Sequence, residues 1–422
     1  MRRLLVFFSL IIIGNVTSAQ HNFNFIRIDL SRDGGPVYAG LIVEDEFGRR
    51  TGRIPLSKTT FREIPNAQYG DEGGLGNLTK IFSMEQALEG IYTIKVIGFK
   101  TGSYRLFIRT VRGTTRENRN GKSLYFGGDT RYGKISEYKL YYETDQTKDI
   151  SAEYIPSFTE LSVFATRSIW LKQNSEILSG SVGVNEAGEG PFLDSQVELS
   201  FGIGTQMAPG YCLKANRVKV KQNGICESDV YYNELTGIGT VTGTQYTPLH
   251  LPLYEALPEF HTGEPGTQDI LLNQNEEFIL DPGDYGDIQV KLEGKLIFTG
   301  GIYNIRNLKS GDNTQLVFRA PSEIRISEKF EAGQKSFIGP EDSTAMNGSD
   351  IVFYVGGING NTGKLGATPK AAKVGLNNTV FANFYVPNGT LWLRQNSEAE
   401  GSFIGKDVVV GINVKVSLKS AW

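Results

Sequence analysis

Three aspartates crowd the stretch DPGDYGD, at Asp281, Asp284 and Asp287. Closely spaced carboxylates are what a hard cation such as calcium takes as ligands, although the spacing is not that of the twelve-residue calcium loop. The competing reading is a solvated turn. Glu341 and Asp342 add a second acidic pair. If these carboxylates shared one groove they could supply the acid and base of a polysaccharide lyase or hydrolase, but nothing in their spacing brings them together. Cys212 and Cys226 are the only cysteines, and His21, His250 and His261 are scattered, so no zinc site is read. In an oxidising compartment the cysteine pair is expected as a disulfide. Closing so short a loop would contribute about 3 kcal/mol. GINGNTGKLG, from Gly357, fails as a phosphate loop because Ile358 and Leu365 stand where Gly and Ser or Thr are required. No Gly-x-Ser-x-Gly elbow is present. Apart from calcium, no cofactor is implied.

The frame that must position any such residues is strand-rich. Among 422 residues there are 50 glycines, 24 phenylalanines and 19 tyrosines, and no long helical periodicity, which points to an all-β chain. Residues 20–152 read as a β-sandwich module. In YTIKVIGF, Tyr92, Ile94, Val96 and Gly98 share one face, and a second strand follows from Tyr104 after a Gly-containing turn, as in a β-hairpin. GIYTIKVIGFKTGSYRLFIR resembles the terminal hairpin of small sandwich modules on bacterial exported proteins, which are similar in shape to carbohydrate-binding ones.

Residues 160–422 read as a solenoid. FILDPGDYGDIQV, LIFTGGIYNIRNL and LVFRAPSEIRISEKF start at Phe278, Leu296 and Leu316, a repeat of roughly 20 residues in which each coil covers the apolar face of its neighbour. The first two also share Gly-x-Tyr, at Gly283/Tyr285 and Gly301/Tyr303. From Val408 to Leu418 alternate residues are aliphatic, as in a half-buried strand. WLKQNSE at Trp170–Glu176 returns almost unchanged as WLRQNSE at Trp392–Glu398, in a chain with three tryptophans. The two are expected at equivalent coil positions at opposite ends of the domain, with Trp170 and Trp392 as packing anchors. Trp422 is expected to cap the last coil. Four prolines in TPLHLPLYEALPEFHTGEP, residues 247–265, mark an excursion from the solenoid surface that could bind a partner.

ANFYVPNGTLWLRQNSEAEGSFIGKDVVVGINVKV, from Ala382, together with LDPGDYGDIQVKLEGKLIFTGGIYNIRNL, resembles a group of uncharacterised bacterial exported proteins with a right-handed β-helix in the C-terminal half. Their coils are similar to those of the bactofilins, which polymerise by stacking. The resemblance implies a fold and export, and a Cys212–Cys226 bridge would then staple one coil to the next.

The first 19 residues have the basic start, apolar run Leu4–Ile13 and small-residue end of a secretory signal peptide. No later segment is apolar enough for a transmembrane anchor. A net charge of −3 argues against nucleic acid. The sequence therefore predicts a non-catalytic structural and adhesive protein, secreted or at the cell surface, with the periplasm as the alternative destination. Its expected partners are copies of itself or a cell-surface polysaccharide, and the alternative is a polysaccharide-binding protein or a β-helix polysaccharide lyase or hydrolase.

Overall fold

The computed structural model describes residues 23–57, 59–72, 79–114, 118–188 and 197–422. The signal peptide read at residues 1–19 lies outside them. The chain divides into two compact units, Met1–Ala152 and Glu153–Trp422. Among the described residues no helix is long and apolar enough to cross a membrane.

The first unit pairs its strands antiparallel in two sheets. One runs in the order Ala67–Glu72, Thr79–Glu85, Phe25–Ser31, Gly102–Arg112, Asn120–Thr130. The other contains Ile135–Tyr142, Gly90–Gly98, Ala39–Asp45, Arg50–Arg53 and Thr60–Arg62. Alternate residues from both, among them Ile26, Ile28, Ile94, Val96, Ile108 and Leu140, are buried. The alternation read at Tyr92–Gly98 is present, but the expected hairpin is not. Gly90–Gly98 pairs with Ala39–Asp45 and Ile135–Tyr142, whereas Gly102–Arg112 pairs with Phe25–Ser31 and Asn120–Thr130. The Gly-containing link therefore passes from one sheet to the other. A link of that kind lets both strands turn their apolar faces inward, whereas hairpin partners would lie side by side in one layer.

The second unit is a parallel solenoid whose coils are not stacked in sequence order. Its larger sheet runs Gln245–Tyr246, Asp229–Tyr231, Cys212–Lys214, Ser181–Val184, Leu161–Leu171, Phe403–Val410, Asn383–Leu393, Ile351–Val355, Ser322–Glu331, Gly301–Ser310, Gly283–Val290, Ile270–Leu272. The chain enters mid-stack at Leu161 and winds to one end at Tyr246. Residues 247–269 then carry it to the opposite end, and from Ile270 it winds back until Phe403–Val410 lies beside Leu161–Leu171. That seam joins the two runs in parallel register, Ile169 opposite Val408 and Leu171 opposite Val410.

Each coil has three faces. The long strands bend to form the first and second faces, and a second sheet, containing Glu277–Leu280, Lys295–Phe298 and Gln315–Phe318, forms the third. Phe278, Leu296 and Leu316 stack in register. The Gly-x-Tyr pairs do not, because Gly283 lies opposite Tyr303 and Tyr285 opposite Ile305, the second coil having two more residues at that bend. Inside, Phe298 stacks on Phe318 at 4.6 Å and Phe353 on Phe384 at 4.5 Å, and all four side chains are fully buried.

The corner between the second and third faces has one construction in every coil but the terminal one at Glu234–Val241. A residue with φ between about +53° and +67° sits there: Asn174, Asn223, Asn275, Asn313, Asn377, Asn396 and Asn413, with Glu293, Lys335 and Gly204 in three other coils. Asparagine tolerates this left-handed conformation better than most residues. The backbone N–H at this position donates to the neighbouring coil, as in Asn396 to Ile412 O (2.9 Å), Asn413 to Gln173 O (3.0 Å) and Asn174 to Ile203 O (2.8 Å), so the ladder crosses the seam unbroken. The aliphatic run from Val408 is therefore two strands, Phe403–Val410 and Lys415–Leu418, separated by the Asn413 corner.

The excursion at 247–265 does not leave the surface. The first face carries a row of large side chains opposite one another, Tyr354, Tyr385, Ile404 and Phe164. Across Gly183 the row continues through Lys214, Tyr231 and Tyr246. The strap lies over this row, with Phe260 edge-on to Tyr354 and Tyr385, Tyr254 edge-on to Phe164, and Leu249 and Leu253 buried. A Cβ on Gly183 would come within 3.3 Å of Leu253 Cδ1. Trp422 packs edge-on against Tyr354 and Tyr385 on this same face. It covers the middle of the stack and caps neither end.

The expected disulfide is absent, since both cysteines are free. Cys226 points into the solenoid interior, whereas Cys212 faces outward under the strap, so the sheet wall separates the two thiols. Burial pushes Cys212 up to about 11 and Cys226 to about 12, which keeps both as unreactive thiols.

Candidate functional site

With the first face covered by the strap, the second and third faces are the open sheet surfaces of the mid-stack, and the third turns charged side chains such as Glu398 and Lys415 outward. Along the second-face strands of the central coils, Ile169, Leu171, Leu391, Leu393, Val408 and Val410 are completely buried. Because alternate residues point to opposite sides of a sheet, Trp170, Trp392 and Val409 must face outward. Trp392 lies opposite Val409, and Val409 opposite Trp170. The twin heptapeptides therefore do occupy one winding position, but a single coil separates them. They meet across the seam and do not lie at opposite ends.

Both indoles are half-buried and Val409 is nearly covered, at 8% exposure. Parallel strands lie about 4.8 Å apart, so the two tryptophan positions are about 10 Å apart along the stack with Val409 as the floor between them. Among the described residues neither indole N–H has a protein acceptor, nor is either buried without one. Two cations rise from the adjacent corners. Lys172 Nζ lies 4.4 Å from the Trp170 ring centroid and 5.3 Å from that of Trp392, and the Arg394 guanidinium lies 5.4 Å from Trp392. Burial, and then the nearby Arg394 charge, hold the Lys172 ammonium below the ordinary lysine range. At the inner edge of the face, Asp407 is 1% exposed and accepts from Arg167 Nε (2.8 Å) and the Ser168 hydroxyl (2.7 Å). This ion pair clamps the coils of the seam beneath the aromatic pair.

The same row continues on either side with different chemistry. Beyond Trp392 come Lys373 and Glu331, paired with each other, and then Lys309. Beyond Trp170 come Ser200, Lys219 and Thr236. The aromatic strip is thus confined to the seam.

The carboxylates singled out from the sequence are spread among separate partners. Asp281 accepts from Thr299 Oγ1 at 3.0 Å, Asp284 from Asn304 Nδ2 at 2.6 Å, and Asp287 from Arg306 Nε at 2.8 Å. The hydrogen bond from Arg306 holds Asp287 below the usual carboxylate range. Glu341 pairs with Arg319, and Asp342 accepts from the Thr344 N–H. Among the described residues no group of three His, Cys, Asp or Glu is placed to hold a metal ion. In the glycine-rich GINGNTGKLG segment, Asn359 is fully buried and its carbonyl oxygen accepts from Thr390 N and Ala371 N, which is a structural staple. Lys172, Arg394 and Val409 were not read as site residues. The Lys/Arg exchange between the heptapeptides was visible, and it marks a cation at the same place beside each tryptophan.

No protein-family model matches the sequence, and no curated protein matches it. Among solved structures, the chain is similar to an ice-binding protein of Shewanella frigidimarina, a DUF3494 domain. Identity is 13% over 63% of this chain and 97% of that one, with a TM-score of 0.29. It is also similar to an ice-binding protein from an Arctic yeast, at 12% identity over 62% of this chain and 91% of that one, with a TM-score of 0.27. What those proteins bind is a property of those proteins.

Proposed function

We propose that this chain is an exported, non-catalytic adhesive scaffold that binds polysaccharide along the second face of its solenoid. The observation that carries this reading is the outward pair Trp392 and Trp170, held in register across Val409 on a rigid parallel sheet. An aromatic face is electron-rich, and the C–H face of a sugar ring is slightly positive, so two indoles on a flat surface each suit one sugar ring of an extended chain. Rigid strands keep the spacing without an ordering cost on binding. Export rests on the signal peptide read at the N-terminus. Binding of the full chain to a panel of soluble polysaccharides tests the proposal. Trp170→Ala and Trp392→Ala should each weaken the best ligand by roughly 30-fold, the effect of losing a buried aromatic anchor. If both variants retain wild-type binding, the strip is not the binding surface.

Self-stacking is a second reading, favoured by the apolar side chains at the two ends of the stack. Leu271 and Ile279 are 57% and 50% exposed at one end, and Ile238 is 78% exposed at the other. Unpaired parallel edges of this kind can accept another copy. Sedimentation should show mass rising with concentration, and Leu271→Lys with Ile279→Lys should abolish the rise. A sharp monomer at all concentrations removes this reading.

A further inference from the structure

Near the indoles most charge is already matched. Lys373 is engaged by Glu331, and Arg167 by Asp407. Lys172 and Arg394 are exceptions, because among the described residues neither reaches a carboxylate and each lies against an aromatic ring. Two like charges held close together on a partly desolvated surface repel one another, and the lowered pKa of Lys172 reflects first its burial and then this repulsion. The arrangement becomes favourable once an anion lies between them. A small inorganic anion would leave the indoles and the Val409 floor uncovered. An acidic sugar covers both, since its ring presents C–H bonds to the aromatic strip while its anionic substituent reaches the corner. The chain as a whole carries a net charge of −3, so a long-range attraction for any polyanion is not what this patch provides.

Resting on the reading that the second face binds polysaccharide, we infer that the polysaccharide is acidic. Sugar rings lie along the Trp170–Val409–Trp392 strip, and the carboxylate or sulfate of one of them accepts hydrogen bonds from the Lys172 ammonium and the Arg394 guanidinium. Arg394 can offer two parallel N–H donors to such a group. Its position at a corner displaced from the ring stack matches a substituent on the edge of a sugar.

The test is calorimetric titration of the full chain with polygalacturonate, a sulfated galactan, a neutral galactan and inorganic polyphosphate. At least one acidic polysaccharide should bind roughly tenfold or more tightly than the neutral one, as a charge-assisted hydrogen bond provides, and that advantage should shrink as salt is raised. Which acidic polymer binds better identifies the anion. Lys172→Met and Arg394→Met keep much of the apolar stem, and each should bring the affinity for the acidic polymers down to that for the neutral one, with the melting temperature unchanged. If both Met variants keep wild-type preference for the acidic polymers while the tryptophan variants lose binding, the acidic inference fails and the polysaccharide reading stands. If the wild type binds none of the three polysaccharides, both fail. Polyphosphate binding as tightly as the acidic polysaccharides would make the patch a general anion site and overturn the assignment to a sugar.

Discussion

Phe353→Ala should lower the stability of the solenoid by about 4 kcal/mol, the range found when a large buried aromatic is truncated without collapse of its site. Phe353 is fully buried. Its ring is parallel to Phe384 at 4.5 Å and lies within 5.9 Å of Phe318 and 5.2 Å of Phe330, so one truncation removes contacts to three coils. The neighbouring strands are tied by continuous backbone ladders and cannot close around the gap. Trp392→Ala should cost less, about 1–2 kcal/mol, because part of that ring already faces water. All three tryptophans, Trp170, Trp392 and Trp422, belong to the second unit, so denaturant unfolding followed by tryptophan fluorescence reports on the solenoid alone. If Phe353→Ala costs no more than Trp392→Ala, the internal aromatic column is not the main source of stability.

That ordering reverses what the sequence pattern implies, and the reason is local geometry. Read as an apolar pair, Trp-Leu places both residues inside. In a strand, adjacent residues point to opposite sides, and the aliphatic flanks Ile169 and Leu171, or Leu391 and Leu393, claim the interior. Once those positions are assigned, each tryptophan must face out. The repeat starting at Phe278, Leu296 and Leu316 was legible for the same reason, since period-two burial and a near-constant coil length leave direct traces in sequence. The Gly-x-Tyr match misled because two residues added at a bend shift everything after it without disturbing either motif.

Coil order leaves no such trace. Each parallel coil presents the same backbone ladder above and below, so nothing local to Leu161–Leu171 names Phe403–Val410 as its partner. The decision is made by the strap, which carries the chain to the far end before it winds back. Its prolines announced an irregular segment, but its destination depends on the aromatic row it covers, assembled from strands far apart in sequence. The aromatic strip at the seam therefore could not be read, although both heptapeptides stand out in the sequence. The acidic residues failed as a site for a simpler reason. Asp284 and Asp287 lie on a strand whose next coil supplies Asn304, Arg306 and Asn307, and these side chains take up the carboxylates one by one.

Glu153→Ala should be the most damaging single change on the covered face, costing about 3–5 kcal/mol. Glu153 and Lys214 are an ion pair at 3.3 Å, with side chains only 3% and 1% exposed. Lys214 occupies the row that elsewhere holds Phe164, Tyr231 and Tyr246, and its ammonium lies 4.0 Å from the Tyr231 ring centroid. Removing the carboxylate leaves the ammonium buried against an aromatic face with no anion to match it. The strap shares the damage, because His250 Nδ1 approaches the other oxygen of Glu153 at 3.7 Å. The double variant Glu153→Ala with Lys214→Met should recover most of the loss, since an apolar side chain of similar length suits the row and a buried pair is often replaceable by packing. Unfolding free energies of the single and double variants measure the coupling. Additive losses would mean that Lys214 is stabilised by something other than Glu153, and that the pair does not hold the strap to the first face.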